Sequence, residues 1–168
     1  MTPQSDWGHL PPPPQNASEN DIKRRLIVQS LVKTEKSYIS SLETLEFDYR
    51  EKLLSMKPSI VDESYVNHMF GAVSPILNLH KVFEMALEST VMEWDTQQRI
   101  GDIFVASFEK QTVLESYSAF INALPDVLKL IQKLCGRKPF NDFCTRQQEI
   151  QGKPRTLFYY YRHENLLF

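Results

Sequence analysis

From residue 22 to residue 57 the chain carries neither glycine nor proline, and its apolar side chains return every three or four positions. Val28, Leu31, Tyr38, Leu42, Leu45 and Tyr49 fall on one helical face, and Val32, Ile39 and Leu53 widen it. Ser18, Asn20 or Asp21 stands where a cap is needed. The pattern predicts one long amphipathic helix. One position in its seam is foreign: four residues beyond Leu31 comes Glu35, and three more reach Tyr38.

After the break at Lys57, Pro58 and Ser59, a second helical stripe runs through Val66, Met69, Phe70, Val73, Ile76, Leu77, His80, Phe83 and Leu87. Pro75 lies inside it and predicts either a kink or a junction between two shorter helices. A shorter segment around Ile100, Phe104 and Phe108 follows, then a fourth stripe from Leu114 through Tyr117, Phe120, Ile121, Leu124, Val127, Leu128, Ile131 and Leu134. Pro125 raises the question of a kink there too. Cys135, Gly136 and Pro139 read as a helix stop, and Phe140 with Phe143 as the anchor of one more short helix. Strand-like alternation is weak, the five glycines are too few for a hairpin-rich fold, and no repeat of fixed period occurs. The expectation is an all-α fold, an elongated antiparallel helical bundle.

The two ends differ from this body. Residues 1–20 contain no Lys or Arg, include Pro11, Pro12, Pro13 and Pro14, and hold Trp7 and Leu10 as isolated apolar groups, so they read as a disordered tail outside the core. Four prolines favour polyproline II, suited to a stiff linker or to the groove of an SH3-type or WW-type reader. Residues 149–168 form a divergent tail with Gly152, Pro154, the aromatic run Phe158, Tyr159, Tyr160, Tyr161 and the apolar Leu166, Leu167, Phe168. It either packs back onto the bundle or stays exposed.

Composition narrows the function. The 168 residues suit a single domain with tails, residues 21–148 forming the helical domain. Nineteen basic against 21 acidic residues leave no basic field for nucleic acid. Two cysteines, Cys135 and Cys144, without CxxC spacing argue against a disulfide framework. No apolar run suits a transmembrane segment or a signal peptide, and the expected location is cytoplasmic.

Catalytic constellations are scarce. His9, His68, His80 and His163 lack metal-ligand spacing, so no metal or other cofactor is expected. A lone His80 on an apolar face reads as a satisfied core histidine. No Gly-rich phosphate loop or GxSxG elbow is present, and Cys135 and Cys144 read as structural. Glu35 remains. It lies at the seam's edge, solvated or paired with a Lys or Arg, or it stands on an uncovered stretch of seam and accepts hydrogen bonds from a partner protein.

The segment from Arg24 to Leu42, with Thr34, Glu35, Lys36, Ser37 and Tyr38 at its centre, resembles the opening signature of Dbl-homology domains, the exchange modules of Rho-family GTPases. Met69 and Phe70 through Leu79 and His80, then Ile100 to Phe104, Tyr117 with the helix after it, and Lys138 to Phe143 resemble later stretches of that family in the same order. The resemblance implies a guanine nucleotide exchange factor that grips the switch regions of a Rho-family GTPase and speeds GDP release without covalent chemistry. It implies that Glu35 is the family's first-helix glutamate, accepting hydrogen bonds from the first switch, with Thr34 and Tyr38 flanking or supporting it and Leu31 and Leu42 packing. At Ser30 the family usually has a second glutamate. The family's third signature segment, its final long helix and the PH module that normally follows have no match here, so the fold is expected to be incomplete at the C-terminus, as in a truncated isoform. Weak exchange and self-association follow as expectations, with an exchange-deficient helical interaction fragment as the alternative.

Overall fold

Ser18 caps the first helix: its hydroxyl accepts from the Asp21 amide at 3.1 Å, satisfying one of the orphan donors of a helix start. The computed structural model describes residues 10–152 and 156–162. Helix α1 (Glu19–Glu43) passes without a break into a π-helical stretch (Thr44–Glu51) and a last α-helical turn, α2 (Lys52–Ser55). The single long helix of the periodicity is therefore present, with its hydrogen-bond register widened for eight residues.

The second stripe divides into α3 (Glu63–Phe70) and α4 (Val73–Met92). Pro75 sits in the first turn of α4, where its missing N–H has no helical acceptor to lose, so the junction reading holds and no kink is required. Gly71 makes the junction possible: a Cβ there would stand 2.6 Å from the Asn67 carbonyl oxygen. Short α5 (Trp94–Gln97) and α6 (Gly101–Phe108) lead to α7 (Gln111–Cys135), which runs on through Pro125. Helix α8 (Lys138–Gln151) ends at Gly152, whose φ of +61° closes it in the left-handed conformation that glycine adopts without strain. Helix α9 (Leu157–Arg162) completes an all-α bundle, with no strand among the described residues.

Helix α4 packs against α1, α6 and α7, and α7 in turn holds α3, α8 and α9. The apolar interior is split in two. The larger cluster joins Ile39, Leu42, Leu45 and Tyr49 of the first helix to α3, the start of α4, α7, α8 and α9. The smaller gathers Val28 and Val32 of α1, Phe83, Leu87 and Val91 of α4, and Trp94.

The described residues near both ends pack onto the bundle. Leu10 is 4% exposed and belongs to the smaller cluster, and the Arg25 guanidinium donates to the Pro11 carbonyl at 2.7 Å. Arg25 is itself buried, held by the Asp21 and Asp95 carboxylates. Pro11 and Pro13 are half-buried while Pro12 and Pro14 are exposed. An unlike pair, one apolar side chain and one buried cation, thus ties down a segment whose composition alone reads as linker. At the other end α8 continues past residue 148, and the tail packs back: Leu157, Tyr160 and Tyr161 are buried in the larger cluster. The Tyr161 hydroxyl donates to the Met69 carbonyl at 2.5 Å, and its ring stacks on Phe120 at 6.1 Å. Trp7, His9, the stretch 153–155, His163 and the 166–168 run lie outside the described residues.

Candidate functional site

Where the two apolar clusters meet, the core turns polar. Glu35 stands between Val32 and Ile39 on α1, and His80 between Leu77 and Phe83 on α4, so each bridges one cluster to the other. Glu35 is 4% exposed and His80 is fully buried, with Glu35 Oε1 2.5 Å from His80 Nδ1. The other ring nitrogen, Nε2, meets the Tyr117 hydroxyl of α7. A carboxylate can only accept, which assigns an imidazole proton to Nδ1, and with the neutral ring Nε2 is then the acceptor of the Tyr117 O–H. Three helices are thereby joined by one chain of hydrogen bonds.

Aromatic rings wall it in. Tyr38 packs edge-on against the imidazole at 4.5 Å, and Phe108 lies 5.8 Å away on another side. The Tyr38 hydroxyl is buried without a partner in good hydrogen-bonding geometry, although it stands close enough to Tyr117 for the two phenols to influence each other. Burial above all, then Tyr117 and the Glu35 charge, pushes the Tyr38 phenol well above its usual range. Burial raises Tyr117 as well; Tyr38 works against that rise and Glu35 adds to it. Both phenols therefore stay protonated and remain donors.

Neither sequence reading of Glu35 describes this arrangement. Its partner is a histidine rather than a Lys or Arg, and its carboxylate points into the protein rather than onto an open surface. Thr34, one residue earlier, is exposed, with its hydroxyl donating to the Ser30 carbonyl at 2.9 Å. Ser30 is exposed too. Tyr38 is half-buried and joins the polar layer from the side. The three residues singled out from the sequence are thus neighbours with different surroundings: Thr34 outside, Glu35 inside, Tyr38 between.

The outer surface beside this layer is apolar. One, two and three turns before Tyr38 on its own face come Thr34, Leu31 and Ile27, the last 66% exposed. On α7, Leu114 and Ile121 flank Tyr117 at three and four residues, 60% and 43% exposed. Spacing marked Leu31, Leu114 and Ile121 as helical stripe residues but did not mark Ile27, and the exposure of Leu114 and Ile121 was not legible locally.

Reactive chemistry finds no foothold among the described residues. Burial pushes the Cys144 thiol up to about 12 and raises Cys135 as well, the reverse of an activated nucleophile. No group of His, Cys, Asp or Glu is clustered there as a metal site would need, and no described helix is long and apolar enough to cross a membrane.

The RhoGEF domain family matches residues 27–159, from the exposed Ile27 into the start of α9. Human Rho guanine nucleotide exchange factor 10 is 37% identical over 150 residues, which is 89% of this chain and 11% of that protein. The mouse Rho guanine nucleotide exchange factor 10-like protein is 39% identical over 150 residues, 89% of this chain and 12% of its own length. Human Rho guanine nucleotide exchange factor 17 is 32% identical over 100 residues, 59% of this chain and 5% of that protein. The chain therefore spans about a tenth of the length of the first two relatives. A helical bundle whose opening signature supplies Glu35 and Tyr38 to the polar layer, and whose match runs from within α1 through every later long helix, belongs to the RhoGEF domain family.

Proposed function

We propose that this domain promotes guanine nucleotide exchange on a Rho-family GTPase, binding it through the face formed by Ile27, Ser30 and Thr34 of α1 and by Leu114 and Ile121 of α7. The observation that carries the reading is the family match itself, running from the start of that face to α9. The choice of face is supported by its exposed apolar side chains, Ile27 on the Tyr38 row of α1 and Leu114 and Ile121 one turn to either side of Tyr117 on α7.

Exchange of this kind is a non-covalent catalysis. The domain must bind the nucleotide-free GTPase more tightly than the nucleotide-bound form, and reciprocity of coupling then weakens the nucleotide by the same factor. No nucleophile or general base is asked of the chain. Thr34 and Tyr38 stand at the border of the face, and Glu35 acts from behind it.

The test is release of a fluorescent GDP analogue from a panel of Rho-family GTPases, with and without the 168-residue chain. Acceleration that is lost in Ile27→Asp, at a position exposed enough to leave folding intact, is the expected result. A folded chain that accelerates none of them would overturn the reading and leave the exchange-deficient alternative.

A further inference from the structure

The polar layer has a geometric relation to the face beside it, and this relation assigns a task to two residues outside the opening signature. We infer that His80 and Tyr117 are positioning residues for exchange: through Glu35 they hold the rotation of α1, and so the outward aim of Ile27, Ser30 and Thr34. The inference rests on the reading that this face meets the GTPase.

Glu35 and Thr34 are adjacent in sequence and so lie about 100° apart around the helix. Turning α1 far enough to release Glu35 therefore re-aims Thr34 and Ile27 by a similar angle. Apolar contacts alone hold such a rotation weakly, because Val28, Val32 and Ile39 can exchange one greasy neighbour for another at little cost. The carboxylate has no such freedom. It meets Nδ1 at 2.5 Å inside a layer where a slipped register leaves both groups buried and unpaired. A single polar position within an apolar seam sets register in helical assemblies by this penalty on every alternative. Here the anchor extends a further step, since Tyr117 fixes the far side of the imidazole and ties the setting of α1 to α7, which carries Leu114 and Ile121. Both halves of the proposed face are thus referred to one buried ring.

Two arms test this. In the first, Tyr117→Phe removes only the hydroxyl and keeps the ring against His80. GDP release is measured over a range of domain concentrations, well below the melting temperature. A smaller population with α1 correctly set raises the half-saturating concentration in proportion, roughly three- to tenfold for one lost hydrogen bond. A merely structural role would lower the melting temperature and leave half-saturation where it was, and that result would overturn the inference. In the second arm, Glu35→Gln keeps an acceptor for Nδ1–H whereas Glu35→Leu keeps only the size. The expected result is exchange within about threefold of wild type for the first and a loss of tenfold or more for the second. Equal loss in both would mean that an acceptor for Nδ1–H is not what sets α1, and would overturn the inference even if Tyr117→Phe failed to fold. Ile27→Asp runs beside them: if it and the wild type are both inactive, or both equally active, it is the choice of face or of function that fails.

Discussion

Replacing Leu10 with alanine tests whether the start of the chain is part of the folded body. Leu10 is 4% exposed among Val28, Val32, Phe83, Leu87, Val91 and Trp94. Leucine-to-alanine changes in cores cost about 2–5 kcal/mol, the upper end where the surroundings cannot collapse into the space. Leu10 arrives on a connecting segment free to relax, so the lower end applies, about 2 kcal/mol. With a urea slope of about 2 kcal/mol/M, the midpoint falls by about 1 M. Helix content in the absence of urea should stay unchanged, since the residue belongs to no helix. The assay is urea unfolding followed by circular dichroism at 222 nm. Arg25→Met, which frees the Pro11 carbonyl from the same strap, supplies the second leg of a double-mutant cycle. Because both side chains hold one segment, their costs should fall short of additive, with coupling of about 0.5–3 kcal/mol. A Leu10→Ala midpoint that does not move would refute the argument and return residues 10–17 to the status of a loose tail.

Alkaline titration followed by tyrosine absorbance should show Tyr38, Tyr49, Tyr117 and Tyr161 ionising only as the protein unfolds, since burial raises all four. Their folded-state pKa values lie above the unfolded value of about 10, so the stability they lend is complete below that pH and is lost as pH climbs from it through the higher folded-state values. Gradual ionisation without loss of helix would contradict their burial. Ser30→Glu places a carboxylate at an exposed position of the proposed face. It should leave the melting temperature nearly unchanged and raise exchange severalfold, and unchanged exchange would remove Ser30 from the proposed face.

Periodicity determined much about this protein without help from the fold. A Gly- and Pro-free stripe can only be buried by one face of a helix, and the observed α1, α4, α7 and α8 lie where the stripes and breaks put them. The order of signature stretches likewise pointed to the RhoGEF family, and Glu35 announced itself as a polar residue in an apolar seam. Tertiary structure decided what each flagged residue touches. Glu35 finds its partner 45 residues away, and His80 finds Tyr117 at a separation of 37. Spacing along a helix records which face a residue occupies, but it holds no information about which other helix will cover that face. The same limit explains Leu10, whose surroundings belong to α1, α4 and Trp94, and Tyr161, whose hydroxyl meets a carbonyl 92 residues earlier. An isolated leucine after a tail or an aromatic run before a terminus has no periodic context of its own. Only the closing of the bundle determined that one would be enclosed and the other docked.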